Sequence, residues 1–192
     1  MKKVSFETDV ENSLRVLKSG GTILYPTDTI WGIGCDATDK TAVEKVFAIK
    51  KRKEEKSLII LLDDAGKLYD YVEQLPPNAS ELIEFSESPL TIIYPEAVNL
   101  AGSVSAEDGS VAIRITKDIF CRELIKRFRK PLVSTSANIS GTAAPKNFSE
   151  ISGEIKNAVD YVVRHRQSEN KFSKPSAVIR LGLKGEIEFI RK

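Results

Sequence analysis

The 192-residue chain is poor in the residues that build metal centres and disulfide frameworks, with one histidine and two cysteines. Cys35 and Cys121 are far apart and lack the paired spacing of a zinc site or a disulfide. One histidine excludes zinc hydrolase sites built on several, and a Ser-His-Asp triad would depend on His165 alone. Because Arg164 and Arg166 flank it, we interpret His165 as a surface residue. The sequence therefore gives no support to hydrolase chemistry, and we expect no metal ligands among its side chains.

Long hydrophobic runs are also missing. The longest, such as residues 58–62, have about five residues, whereas a helix that spans a bilayer needs about 20. The N-terminus turns acidic at Glu7 and Asp9 before an apolar run could form a secretion signal. These absences predict a protein of the cytoplasm with no membrane segment.

The charges nearly balance, but they are unevenly spread. Lys and Arg number 29 against 27 Asp and Glu, and 41% of residues are hydrophobic, which is typical of one well-packed domain over residues 1–192. Residues 41–56 carry six basic and three acidic side chains, residues 63–87 one and seven, and residues 117–130 six and two. Such runs are typical of solvated helix faces, and they also suit a site for an anionic ligand.

Helical and extended patterns alternate along the chain. Thr8 or Asp9 could cap a first helix that ends at Gly20, and Thr41 with Glu44 has the capping-box spacing for a second. The alternating helical and extended patterns predict an α/β fold with a mixed sheet. Further helices are expected at 79–86, 118–129 and 149–156, and strands at 22–25, 57–62, 90–94, 111–115, 132–135, 159–163, 177–181 and 187–190.

Two segments near the N-terminus carry residues that suit ligands. Residues 25–34 (YPTDTIWGIG) place two hydroxyls, a carboxylate and two glycines after a strand, where they could bind a ligand or form a tight turn. Residues 50–57 (KKRKEEKS) could complement a helix dipole or neutralise a polyphosphate. The chain lacks a P-loop motif, so a nucleotide site here would be of another type.

Two later segments have the same character. In residues 109–114, strand alternation puts Ser110 and Arg114 on one face, and an arginine on an apolar strand is costly unless a carboxylate from the protein or from a ligand pairs with it. Residues 131–141 (PLVSTSANISG) run from an apolar strand into hydroxyls and an amide. That loop could bind phosphate or ribose, or form a simple turn.

Taken together, these segments resemble the YrdC-like family of threonylcarbamoyl-adenylate synthases. The resemblance covers nearly the whole chain and implies the family fold, a strongly twisted open α/β sheet, flanked by helices, with a basic concave cavity. It also implies a nucleotidyltransferase activity, which joins L-threonine, bicarbonate and ATP into threonylcarbamoyl-AMP and pyrophosphate for the threonylcarbamoyladenosine modification of tRNA. It rests on six ordered segments: residues 25–34, Lys50-x-Arg52 with residues 56–59, and residues 89–91, 111–114, 136–141 and 174–178.

The resemblance also implies roles for single residues. Lys50 and Arg52 would contact the triphosphate as the catalytic cations, and magnesium would accompany the ATP. Arg114 would bind the carboxylate of threonine. The further ATP contacts would be Lys56, Ser110, Ser136, Asn138 and Arg191, and the further threonine contacts Thr29, Ser134 and Ser176.

The chain departs from the family pattern at two positions. Leu61 stands where many synthases have a histidine that contacts the amino acid, and Lys53 stands where proline usually follows the basic motif. We expect Leu61 to weaken threonine recognition. A second function therefore stays open, that of an RNA-binding or regulatory member without full synthase activity, whose basic runs would contact tRNA or double-stranded RNA. Partner proteins of tRNA modification are expected with either function.

Overall fold

The alternating patterns produce a mixed sheet flanked by helices in the computed structural model, which describes residues 6–51, 58–169 and 174–192. Three short 3-10 turns complete the secondary structure of these ranges. The helices are α1 (Phe6–Lys18), α2 (Lys40–Lys50), α3 (Ala79–Glu84), α4 (Ile119–Phe128) and α5 (Gly153–Ala158). The strands are β1 (Ile23–Tyr25), β2 (Gly32–Gly34), β3 (Ile59–Leu62), β4 (Leu90–Tyr94), β5 (Val111–Ile115), β6 (Leu132–Ser136), β7 (Tyr161–Val162), β8 (Ala177–Leu181) and β9 (Ile187–Arg191).

The nine described strands form one sheet in the order β7-β1-β2-β6-β3-β5-β4-β8-β9. Three neighbouring pairs are parallel (β1 with β7, β3 with β5, β4 with β8), and the other five are antiparallel. The predicted mixed sheet is therefore confirmed. Strand β2 was not predicted, because we interpreted residues 25–34 as a loop.

Helix α1 begins earlier than the capping pattern predicts. It starts at Phe6, so neither Thr8 nor Asp9 caps it. Asp9 is buried and instead accepts hydrogen bonds from Tyr161 Oη (2.6 Å) and the backbone N–H of His165 (2.7 Å). The helix ends as predicted, since Gly20 adopts a φ of +71°, the left-handed conformation that glycine tolerates best.

His165 is only partly exposed, in contrast to the predicted surface position. Its ring stacks on Phe120, with centroids 5.8 Å apart, and meets Phe6 edge-on at 5.3 Å. The residue therefore joins the segment that follows β7 to α1 and α4 through ring contacts.

Aspartates cap α2 and α4, and the predicted Thr41 does not cap α2. Asp39 caps α2 by accepting from Thr41 N and Ala42 N, and Asp118 caps α4 by accepting from Cys121 N. An aspartate at this position satisfies N–H groups that have no partner inside the helix and complements the helix dipole. Within the described ranges, every helix is too short or too polar to cross a membrane.

Candidate active site

A cavity of about 340 Å³ opens over the middle of the sheet, where β2, β6, β3 and β5 lie side by side. Such a volume falls within the usual range for small-molecule sites. Hydroxyls and guanidinium groups dominate its polar lining. The described residues that line it are Thr29, Ile30, Trp31, Gly32, Ile59, Arg114, Ser134, Thr135, Ser136, Asn138, Thr142, Ala144, Pro175, Ser176 and Arg191.

Strand register brings the floor of the cavity together. Gly32 pairs with Ser136, and Ile59 pairs with Ser134. Residues in register share a face of the sheet, and side chains alternate between faces along a strand. Ser134 and Ser136 therefore stand on the same face as Ile59, and Gly32 lets the backbone form the floor beside them.

The ring of Tyr25 explains a second glycine in β2. Tyr25 is buried, and its hydroxyl donates to the carbonyl of Val133 at 3.1 Å. A Cβ on Gly34 would lie 2.6 Å from Tyr25 Cε1 and 2.7 Å from Val133 O, so only glycine fits. Burial raises the pKa of Tyr25, which keeps its hydroxyl a donor.

Arg114 reaches the cavity from β5 and pairs with a protein carboxylate. Its side chain is 4% exposed, and its Nη2 lies 3.2 Å from Asp28 Oδ1. Its Nε makes no hydrogen bond to any described residue, although a guanidinium carries five N–H donors. Of the two partners that the sequence left open, the structure supplies the protein carboxylate and leaves donors for a ligand.

Thr29 presents its hydroxyl oxygen to the cavity because of a local turn. Thr27 Oγ1 donates to Ile30 O (2.8 Å), so its one proton is used there. The Thr29 hydroxyl, 3.0 Å away, must then donate to Thr27 Oγ1, and it keeps its own lone pairs. Thr29 is thus prepared to accept a hydrogen bond from a ligand.

Ser176 and Arg191 close the opposite wall. Ser176 shares a 2.7 Å hydroxyl contact with Thr91, and Arg191 Nε donates to Ser176 O at 3.0 Å. Burial lowers the pKa of Arg191, and the positive charge of Arg114 lowers it further. Two guanidinium groups therefore face one cavity, and an anion between them would be stabilised.

Lys50, the last residue of α2, lies at the corner of the site next to the end of β6. Its Nζ donates to Ser136 O (2.5 Å) and Asn138 O (2.7 Å), and the side chain is 3% exposed. Asn138 donates through Nδ2 to Thr142 O, while its Oδ1 is buried and accepts nothing from the described residues. Lys50 thus fixes the loop that carries two cavity residues, without lining the described wall itself.

Of the eleven predicted site residues, seven line the cavity, Lys50 and Ser110 do not, and two lie outside the described residues. Ser110 does not lie among the described lining residues, because its hydroxyl donates to Asp108 Oδ1 at 2.6 Å. Arg52 and Lys56 lie outside the described residues. The predicted residues that line the cavity are Thr29, Arg114, Ser134, Ser136, Asn138, Ser176 and Arg191.

Leu61, which the resemblance matches to a family histidine, is not among the described residues that line the cavity. By register it shares the face of Arg114, but its side chain is fully buried and is not part of the lining. Sequence reasoning also missed two contributors within residues 25–34. Trp31, whose ring lies 4.8 Å from that of Phe148, lines the wall, and Asp28 holds Arg114.

Comparison with known proteins identifies the family of this chain. Residues 15–192 match the model of the Sua5/YciO/YrdC family, which carries the description "Telomere recombination". The chain belongs to this family. It is 34% identical over 163 residues to the threonylcarbamoyl-AMP synthase of Pseudoalteromonas translucida (strain TAC 125), covering 83% of this chain and 87% of that protein. It is 27% identical over 184 residues to the threonylcarbamoyl-AMP synthase of Vibrio vulnificus (strain YJ016), covering 91% and 99%.

Solved structures of the family share the fold. P. abyssi Sua5 complexed with L-threonine matches with a TM-score of 0.84 at 24% identity, covering 94% of this chain and 52% of that one. The chain thus spans about half the length of that Sua5. E. coli YciO matches with a TM-score of 0.82 at 20% identity, covering 98% and 90%. The family and the twisted mixed sheet that the sequence predicts are confirmed.

Proposed function

We propose that this chain is a threonylcarbamoyl-AMP synthase that uses L-threonine, bicarbonate and ATP. The observation that carries the proposal is the convergence in one cavity of Thr29, Arg114 and Ser176 with Ser136 and Asn138. These are the two residue sets that the family resemblance assigns to the amino acid and to the nucleotide. The curated relatives named as threonylcarbamoyl-AMP synthases support the same reaction.

The chemistry requires positioning and charge neutralisation. The amine of threonine combines with bicarbonate to give a carbamate and water. A carbamate oxygen then forms a bond to the α-phosphorus of ATP, the bond from that phosphorus to the bridging oxygen breaks, and pyrophosphate leaves. An in-line displacement of this kind needs aligned reactants and cations on the phosphates more than a protein nucleophile.

The cavity residues fit these needs at the amino-acid end. Arg114 binds the carboxylate of threonine through its remaining donors, because a guanidinium matches a carboxylate in a two-pronged contact. Thr29 accepts a hydrogen bond from the substrate hydroxyl or amine, and Ser176 adds a hydroxyl contact. Ser134 lines the same cavity and adds a further hydroxyl.

At the nucleotide end, Ser136 and Asn138 contact the nucleotide, and Asn138 Oδ1 offers a buried acceptor. Arg191 neutralises phosphate charge from the facing wall. Lys50 fixes the loop, and we propose that it meets the triphosphate together with Arg52 and Lys56. The described residues hold no group of three or more His, Cys, Asp or Glu side chains that could bind a metal ion. Magnesium would therefore arrive on the phosphates of ATP and lower their charge.

The setting of the reaction is part of the proposal. We place it in the cytoplasm, where Cys35 and Cys121, both buried and unpaired, remain reduced. The product would be passed to the proteins that transfer threonylcarbamoyl to tRNA, and the basic runs of the chain would contact tRNA or double-stranded RNA.

Pyrophosphate release from ATP tests the proposal. Release should require both L-threonine and bicarbonate, and mass spectrometry should detect threonylcarbamoyl-AMP. The Arg114→Ala variant should lose threonine-dependent pyrophosphate release, whereas Arg180→Ala, at an exposed ion pair with Asp108, should match the unmodified protein. Pyrophosphate release that is absent, or that ignores threonine and bicarbonate, would refute the proposal and favour the RNA-binding alternative.

A further inference from the structure

Asp28 lies behind the arginine of the cavity without lining the cavity itself. Its Oδ1 is 3.2 Å from Arg114 Nη2, and its Oδ2 accepts from Thr116 Oγ1 (3.2 Å) and from the backbone N–H of Lys117 (3.4 Å). The carboxylate instead borders a smaller pocket of about 160 Å³. Asp28 can therefore act on a ligand in the main cavity only through Arg114 and its own neighbours in the chain.

The pair is needed to keep a guanidinium buried at this point. Arg114 is 4% exposed, and a buried charge is strongly unfavourable unless an opposite charge meets it. Asp28 is the one carboxylate among the described residues within ion-pair distance of Arg114. The contact uses Nη2, and Nε is buried without a hydrogen-bond partner among the described residues, so the ion pair does not use up the donors of the guanidinium.

The same carboxylate also joins two parts of the chain that carry predicted amino-acid contacts. Asp28 directly precedes Thr29, which stands on the loop between β1 and β2, whereas Arg114 stands on β5. Thr116, which donates to Asp28, is itself held in place, because its Oγ1 accepts from the N–H of Asp118, the cap of α4. One side chain thus sets the distance between the Thr29 hydroxyl and the Arg114 guanidinium.

We infer that Asp28 is a positioning residue for amino-acid recognition: it orients Arg114 toward the substrate carboxylate and fixes Thr29 beside it. The inference rests on the proposed function, because it names the substrate group that Arg114 meets. It assigns Asp28 no contact with ATP. Loss of Asp28 should therefore change the response to threonine and leave the response to ATP alone.

The experiment compares Asp28→Ala and Asp28→Asn with the unmodified protein in the pyrophosphate assay. Asp28→Ala should raise the KM for threonine about 10–100-fold, the size expected for a lost charge-assisted contact, and change the KM for ATP less than about twofold. Asp28→Asn removes the charge but keeps an oxygen that can accept from Thr116 and Lys117, so it should recover part of the loss. Trp31, the one tryptophan of the chain, lines the cavity and gives a second readout of threonine binding by fluorescence.

Asp36→Asn is the matched control. Asp36 is also a buried carboxylate, accepting from the Thr38 hydroxyl (2.6 Å) and pairing with Lys130 (2.5 Å), but it does not line the cavity. The Asp36→Asn variant should have a lower melting temperature and an unchanged KM for threonine. An Asp28→Ala variant whose threonine KM moves no more than that of Asp36→Asn would overturn the inference.

A double-variant comparison separates positioning from an independent role. In an Arg114→Lys background, Asp28→Ala should raise the threonine KM by less than it does in the unmodified protein, because the two-pronged guanidinium contact that Asp28 orients is already lost. Fully additive effects of the two substitutions would overturn the inference while leaving the proposed function intact. If the unmodified protein shows neither threonine-dependent pyrophosphate release nor threonine binding, the proposed function fails, and the inference fails with it.

Discussion

The glycines of β2 offer a sharp test of how the sheet forms the floor of the cavity. Gly34→Ala would place a methyl group 2.6 Å from Tyr25 Cε1 and 2.7 Å from Val133 O. Neither atom can give way easily, because Tyr25 is fully buried and its hydroxyl is bonded to that same Val133 carbonyl. The strand or the ring must shift, and the variant should be less stable.

The size of the effect follows from the cost of overpacking. One methyl group forced into a filled core costs about 1–3 kcal/mol. For a chain of this length, each kcal/mol lowers the melting temperature by about 2–4 °C, so Gly34→Ala should melt about 2–12 °C lower. Gly32→Ala differs because the nearest atom is the Ser134 hydroxyl at 3.3 Å, which can move by a few tenths of an ångström.

Thermal unfolding and pyrophosphate release together separate the two glycines. Gly32→Ala should melt near the unmodified protein but lose ligand affinity, because Gly32 lines the cavity and the added methyl group narrows its floor. Gly153→Ala is the control, since a Cβ there meets nothing within 4 Å. Equal melting temperatures for Gly34→Ala and Gly153→Ala would refute the packing described for Tyr25.

Four further predictions follow from single contacts. Arg114→Lys should raise the KM for threonine about 10–100-fold with ATP affinity unchanged, because lysine lacks the two-pronged donor; a kinetic titration of each substrate checks this. Arg52→Ala should weaken ATP binding about 10–150-fold in calorimetry. Hydrogen bonds from Ser110 and the charge of Arg180 lower the pKa of Asp108 to about 2. The ionised carboxylate therefore stabilises the fold above about pH 4, and this stabilisation is lost as the pH falls toward 2. In Asp108→Asn, the melting temperature should change less with pH across that window. Leu61→His should lower the melting temperature by about 2–12 °C, the cost of a buried polar group without a partner, and leave the threonine KM unimproved.

The long strands could be predicted from the sequence because their pattern is local. Strands β4, β5 and β8 have the predicted bounds, since runs such as LTIIY and VAIRI are rich in the residues that pack well in sheets. Strand β2 could not be found this way. Its sequence is GIG, two of whose residues are unfavourable in strands, and it extends because it is held between β1 and β6.

The wrongly predicted helix caps also arise because tertiary contacts override the local sequence pattern. Asp9 resembles a helix cap in the local sequence, but its partners, Tyr161 and the backbone of His165, are about 150 residues further along the chain. At α2, the capping-box pattern indicates Thr41, but the structure places Asp39 at the cap. Local patterns identify a residue that can accept hydrogen bonds, but the tertiary fold decides which donors reach it.

The cavity residues were predictable where a polar residue interrupts an apolar strand. Arg114 stands out in VAIRI, and Ser134 and Ser136 stand out in LVSTS, because each would be costly on a buried face. Asp28 gave no such signal. It sits in a polar loop where an aspartate is ordinary, and only the fold reveals that its carboxylate meets Arg114.

The position of Leu61 shows why register matters as much as alternation for assigning a site. On the cavity side of the sheet, Ile59 pairs with Ser134 and lines the open part of the cavity, whereas Leu61 pairs with Leu132 two residues further along, and both leucines are fully buried. The same face of β3 therefore lines the cavity at Ile59 and belongs to the core at Leu61. Arg114 is in register with Leu61 but still lines the cavity, because its side chain is long enough for the guanidinium to reach it. A short apolar side chain at position 61 cannot do so, and the leucine therefore contributes to stability rather than to recognition.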